Sequence, residues 1–222
     1  MSKRKARQAS GFTLVELLIY IALSGIVLTG LYSLFITNSR SQASQENSVE
    51  MTQEMRSALA MMVEDIRVAG CDPTRAGGIG FQNNADDNFD TDGNSIHFTM
   101  DTNDDGATGG AGEDINYFLY TLADGIQRLG RRTANCGSCA ASDPDRFDDF
   151  TPPLAENITG LSFTYTFADG DTGVANDADG DDTNDLDNIR VVHISLTAQT
   201  PRVDPVINQR KSRTLTASSL VR

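Results

Sequence analysis

The sequence predicts an α+β fold, with one very long helix first and a sheet of antiparallel strands after it. Three observations carry this expectation. Residues 12–36 form an apolar run whose only charge is Glu16. Residues 37–69 contain neither Pro nor Gly, and their later apolar positions fall at helical spacing. From residue 95 onward, several short runs alternate apolar and polar residues, which is the period of a strand.

The apolar run comes first. A bilayer core about 30 Å thick needs about 20 helical residues, so this run is long enough to cross one. The basic residues Lys3, Arg4, Lys5 and Arg7 precede it with no acid among them. Such a flank stays on the cytoplasmic side, giving an N-in topology across an inner membrane. A cleaved secretory signal would have a shorter apolar core, and Thr29-Gly30-Leu31-Tyr32 is a poor small-x-small site. A plain signal anchor explains everything except Glu16. A carboxylate at the centre of a membrane helix costs about 2.5–3.5 kcal/mol, which marks it for a partner.

The helix then continues. Met51, Met55, Leu59, Met62, Ile66 and Ala69 step by three or four, with Ala58 and Val63 beside them. Gln53, Glu54, Arg56, Ser57, Glu64, Asp65 and Arg67 are assigned to the other faces. Gly70 and Pro73 are stop signals. One helix over residues 12–69 would be about 87 Å long at 1.5 Å per residue. Gly25 and Gly30 weaken it by about 0.8–1.0 kcal/mol each relative to Ala. They serve either bending or melting on assembly, or close packing between membrane helices.

The strands follow. Ile96, Phe98 and Met100 point one way, with His97 and Thr99 opposite. Ile115, Tyr117 and Leu119 form a second set, and Leu161, Phe163, Tyr165 and Phe167 a third. Val192, Ile194 and Leu196 form a fourth, and residues 215–221 close the chain. Asp124-Gly125 reads as a two-residue hairpin. The stripe on the helix would cover the sheet.

Four stretches of the sequence resemble a known family. Ser10-Gly11-Phe12-Thr13-Leu14-Val15-Glu16-Leu17-Leu18-Ile19 closely resembles the class III signal of type IV pilins and type II secretion pseudopilins. The resemblance implies a pilin fold. It also implies that prepilin peptidase cuts between Gly11 and Phe12 and N-methylates Phe12. Glu16 becomes the fifth mature residue and meets the terminal amine of a neighbouring subunit. In a low-dielectric bundle, pairing those charges avoids two separate desolvation costs. Further motifs resemble PilW-type minor pilins and, next, GspJ-type pseudopilins. They are Ser95-Ile96-His97-Phe98-Thr99-Met100-Asp101, the segment from Leu154-Ala155-Glu156-Asn157 to Tyr165, and Ile189-Arg190-Val191-Val192-His193-Ile194-Ser195-Leu196. The implied parts are a cleaved leader (1–11), a transmembrane assembly segment (12–36), an amphipathic half-helix (37–70) and an extracytoplasmic head (71–222). The implied partners are other pilin subunits, prepilin peptidase, an inner-membrane assembly platform and the membrane itself.

Charge is unevenly placed. The 222 residues carry a formal net charge of −13, from 31 acids against 18 bases. The leader holds +4, so −13 − 4 leaves −17 on the rest. That balance argues against nucleic acid as the main partner. Residues 84–114 hold nine acids and residues 169–187 hold eight, with no Lys or Arg in either. Asp101, Asn103, Asp105 and Gly106 match the first half of a calcium loop. The closing acid of that pattern would be Glu113, one residue late. Asp177, Asp179, Asp181 and Asp185 repeat the alternation, and Asn88, Asp90, Asp92 and Gly93 do so more weakly. Ca2+ on such loops competes with a simply solvated acidic surface that keeps filaments soluble.

Cys71, Cys136 and Cys139 would lie outside the cytoplasm, where disulfides persist. A 136–139 ring would contribute roughly 2 kcal/mol, and a bond from Cys71 to either partner roughly 4 kcal/mol. A redox CxxC needs a thioredoxin-like context that the pattern lacks. His97 and His193 sit inside strand patterns and read as surface or packed strand residues. GxSxG, P-loop, HExxH and dinucleotide patterns do not occur, so the expected role is structural and not enzymatic. The basic islands Arg128, Arg131, Arg132 and Arg202, Arg210, Lys211, Arg213 read as solvated faces or as partners for acids on a neighbouring subunit, and docking between subunits suits an acidic protein better than binding phosphate or DNA. The competing class is a membrane-anchored calcium-binding surface protein that forms no filament.

Overall fold

In a computed structural model, the structure describes residues 12–83, 90–110, 112–133, 153–175, 186–205 and 207–221. The chain divides into two units, Met1–Gln45 and Glu46–Arg222. A single helix, α1 (Leu14–Val68), supplies the first unit and opens the second. The helix is unbroken through Gly25 and Gly30, and neither glycine has anything within 4 Å of where a Cβ would stand.

Among the described residues, the second unit is α1 from Glu46 onward plus two antiparallel four-stranded sheets, where the alternation suggested one. The first sheet runs in the order β1 (Ile96–Thr99), β2 (Asp114–Thr121), β3 (Gln127–Thr133), β4 (Ala155–Glu156). In the second, β6 (Thr172–Gly173) and β7 (Ile189–Gln199) flank β5 (Ile158–Phe167), and β8 (Ser212–Leu220) lies beyond β7. The long strands β5 and β7 pair from Ile158↔Ala198 to Phe167↔Ile189, with register shifts at both ends. The inward faces are the expected ones. Leu161, Phe163, Tyr165 and Phe167 from β5 and Val192, Ile194 and Leu196 from β7 are all buried.

The helix stripe joins them in one core. Met51, Met55, Ala58, Leu59, Met62, Ile66 and Ala69 are buried there, and Val63 packs at its margin. Fully burying a Met or Ile side chain contributes about 1.5–3 kcal/mol. The first sheet departs from a half-wet sheet, because His97 and Thr99 on its outward side are buried as well. On that side Gly130 pairs with Phe118. A Cβ on Gly130 would lie 3.1 Å from both the Phe118 and Tyr120 rings, so glycine leaves room for the two aromatics to lie across β3.

The helix ends on the sheet. Gly70 adopts φ +73°, the left-handed form that ends helices. Its N–H donates to the Thr99 carbonyl at 3.0 Å, and the Asp101 N–H donates to Cys71 O at 2.8 Å. The β2–β3 hairpin is present, but its last pair is Thr121↔Gln127, so the loop is five residues rather than two. Gly125 N–H donates to Leu122 O, closing a β-turn with Gly125 at φ +73°. Asp124 extends the loop because its carboxylate takes Ile126 N–H at 2.9 Å and grips Arg128 at 2.6 and 3.0 Å.

Asp65 corrects the helix pattern. It belongs to the seam with the sheet and not to a solvent face. Its Oδ2 accepts from the Tyr117 hydroxyl at 2.5 Å and from Arg131 Nε at 2.7 Å. Asp65 stands seven residues after Ala58 and four before Ala69, so its helical position is that of the stripe. Two further pins join helix to sheet. Arg213 Nη1 donates to Thr52 Oγ1 at 3.1 Å, and Ser219 Oγ donates to Val63 O at 3.1 Å.

Asp65→Ala leaves the Tyr117 hydroxyl and the Arg131 guanidinium without their acceptor at a mostly buried seam. We expect a loss of about 2–4 kcal/mol in unfolding free energy, read by chemical denaturation, with Asp65→Asn intermediate. Alkaline pH should act on the same core. Burial, then the Asp65 carboxylate, raises the Tyr117 phenol; burial, then the charge of Asp92, raises that of Tyr165. A pKa raised by folding gives stability that is complete below the unfolded value, about 10 for Tyr. It is lost as pH climbs from there toward the folded value. Ultraviolet titration should therefore show these two phenols ionising only together with unfolding.

Candidate functional site

The first candidate lies at the start of α1. Phe12 precedes the helix and is exposed, and its ring meets Tyr20 edge-on at 5.9 Å. Thr13 caps the helix. Its Oγ1 accepts from Glu16 N–H at 3.3 Å, and its carbonyl accepts from Leu17 N–H at 3.2 Å. Thr13-Leu14-Val15-Glu16 thus has the spacing of a capping box, with the acid in the first turn. A carboxylate here also faces the positive end of the helix dipole. The sequence carries this role openly in the Thr-x-x-Glu spacing, yet the apolar surroundings of Glu16 draw attention to a distant partner instead. Gly11, the expected cleavage position, lies outside the described residues.

The surface behind Glu16 is apolar on every side. Leu14, Val15, Leu17, Leu18, Ile19 and Tyr20 are each more than half exposed, and the same holds at intervals to Phe35. The helix is long and apolar enough to cross a membrane. The exposed apolar area greatly exceeds what a soluble monomer tolerates, so lipid or other helices must cover it.

The second candidate is the acidic loop after β1. Asp101 is 1% exposed, and its Oδ2 accepts from Gly106 N–H at 3.0 Å and from Thr74 Oγ1 at 3.5 Å. Asn103 Oδ1 accepts from Asp105 N–H at 2.9 Å, and Asp105 Oδ1 accepts from Ala107 N–H at 2.8 Å. Glu113 is buried too, but it faces protein donors. Its Oε1 takes the Thr102 N–H and hydroxyl at 3.2 and 3.1 Å, and its Oε2 takes Gly110 N–H at 2.7 Å. Among the described residues, no three His, Cys, Asp or Glu side chains converge on one point. Asp177, Asp179, Asp181 and Asp185 lie outside the described residues. Beside the loop, backbone donors led by Gly77 N–H hold the Asp72 carboxyl below its ordinary range.

The remaining residues are placed as follows. Cys71 is exposed just beyond the helix, and Cys136 and Cys139 lie outside the described residues. His97 Nε2 is 2.8 Å from Asp114 Oδ1. His193 bridges the Thr166 and Ser218 hydroxyls at 3.0 and 2.9 Å. Both histidines are thus engaged by cross-strand neighbours. The basic islands are largely engaged within the chain. Arg128 pairs with Asp124 and Glu156, Arg131 with Asp65, and Lys211 with Asp204. These three thus have acids within their own chain. The grip of Arg128 pulls the Asp124 carboxyl down to about 2.

Residues 6–32 match the prokaryotic N-terminal methylation motif. Residues 44–217 match a family described as prepilin peptidase-dependent protein B. No curated protein matches the chain.

Thr13→Ala removes the hydroxyl that holds Glu16 N–H. We expect the first turn of α1 to fray, with a local loss of about 0.5–2 kcal/mol. Hydrogen exchange at the Glu16 amide, in detergent micelles, should quicken while amides of β5 and β7 keep their rates.

Proposed function

The chain belongs to the prepilin peptidase-dependent protein B family of pilin-like proteins, and we propose that it is a minor pilin of the PilW type. In this reading it is made as an inner-membrane precursor with its basic leader in the cytoplasm. Prepilin peptidase removes residues 1–11 and N-methylates Phe12. An assembly platform then draws the subunit into a type IV pilus, where its role is structural and not catalytic.

One observation carries the reading most directly. The apolar segment 12–36, exposed on all sides of α1, bears a single acid, and that acid is one turn from the cleavage position. An apolar surface of this kind can be covered by lipid before assembly and by neighbouring helices after it. Glu16 gives that exchange a direction. In the filament it pairs with the amine that cleavage creates at Phe12 of the next subunit, and a correctly seated subunit leaves neither charge unpaired in an apolar bundle. The half-helix from Glu46 onward belongs to the head and carries it outside the membrane.

Glu16→Ala separates this reading from a plain anchor. The variant should still be processed and membrane-inserted, since removing an acid eases insertion. It should be reduced at least about tenfold in sheared filaments, the factor that 1.4 kcal/mol of pairing energy would give. Glu16→Asp should recover part of the loss. Incorporation of Glu16→Ala at the wild-type level would sink the proposal.

A further inference from the structure

We propose that the turn at residues 101–106 binds a hard divalent cation, calcium, through the unpaired Oδ1 of Asp101 together with oxygens of Asn103 and Asp105. The spacing of these residues is not sufficient evidence alone, because acidic loops of this composition are common on solvated surfaces. The independent observation is the state of Asp101. Its side chain is buried to 1% exposure, and its Oδ1 is buried with no hydrogen-bond donor. Buried carboxylate oxygens are satisfied by donors or by cations. Among the described residues, none of Asp101, Asp104, Asp105 and Glu113 pairs with a Lys or Arg.

One oxygen of the carboxylate, Oδ2, faces the backbone of the loop and the Thr74 hydroxyl. It lies 3.0 Å from Gly106 N, five residues on. Gly106 is at φ +76° and Asp104 at φ +61°, so the backbone folds back over Asp101. A Cβ on Gly106 would lie 3.2 Å from Thr74 Oγ1, so this close return leaves little room for a larger residue. The donors are then carboxylate and amide oxygens with no thiol or imidazole, a set suited to calcium rather than zinc or copper. Calcium takes six to eight oxygens in irregular geometry, and magnesium demands a near-ideal octahedron. With few acids converging, backbone carbonyls and water complete the shell.

Asn103 and Asp105 are held for a small rearrangement. They currently bond each other, Asn103 Nδ2 donating to Asp105 Oδ2 at 3.0 Å. Both are exposed, so a cation at Asp101 Oδ1 can draw their oxygens inward by opening that bond and sharing the oxygens that now accept from the Asp105 and Ala107 N–H groups. Glu113 is a positioning residue. It closes the ring by joining Thr102 to Gly110 across the loop. A side chain on Gly110 would collide with it, since a Cβ would lie 2.4 Å from Glu113 Oε2.

The test is isothermal titration of the full chain in detergent micelles with calcium chloride. Wild type should show a saturable transition with a Kd of about 10⁻⁵–10⁻³ M, from the weak end of sensor loops to the extracellular modules. Asp101→Asn should weaken that transition at least tenfold, and Asp105→Asn several-fold, with unchanged circular dichroism. No heat from wild type at millimolar calcium would overturn the proposal. So would an Asp101→Asn chain that folds and titrates like wild type, because the binding would then belong to other acids. If Asp101→Asn fails to fold, Asp105→Asn decides in its place. Asp105 is exposed, and a wild-type titration from that variant would overturn the proposal.

Discussion

The apolar stripe of α1 between residues 51 and 69 cannot face water, and the head is arranged around covering it. Both sheets contribute to that cover. Tyr117, Ile115 and Leu129 come from the first, and Phe163, Tyr165, Val192 and Ile194 from the second. Polar contacts then fix where the helix lies. Asp65 reaches the first sheet, and Thr52 and the Val63 carbonyl reach β8. Gly70 ends the helix by donating to β1 itself. Apolar area supplies the driving force, and these few bonds supply the register.

The first unit poses the opposite problem. From Phe12 to Ile36 its helix is apolar all round, and among the described residues nothing else in that unit covers it. A helix of this kind must be buried by its surroundings. The methylation motif lies on the segment where the apolar surface begins. The acid Glu16 therefore lies inside that motif, at the start of the apolar surface. In the isolated chain its backbone is engaged by the Thr13 cap, which gives the first turn a defined end.

Much of this was legible in the sequence, for physical reasons. The stripe follows a 3.6-residue period over five turns, and residues 161–167 of β5 and 192–198 of β7 alternate strictly, so both elements were readable. Tertiary pairing was not. Asp65 looks like any polar residue on a helix, and only the folded chain brings Tyr117 and Arg131 to it. The split into two sheets depends on which strands pair, which alternation does not encode. The hairpin is longer than Asp124-Gly125 implies because Asp124 is committed to Arg128. For the calcium pattern, spacing identified Asp101, Asn103 and Asp105, and the fold added that one Asp101 oxygen is buried and unpaired. Glu113 fits the pattern loosely in sequence, and in the structure it faces backbone donors instead.

The central claim is that the chain is trimmed before Phe12 and carried in a filament. Mass spectrometry of the N-terminal peptide, recovered from sheared surface filaments, tests both parts at once. The account predicts a peptide beginning with N-methylated Phe12. An intact Met1 terminus on the surface-exposed protein would contradict it.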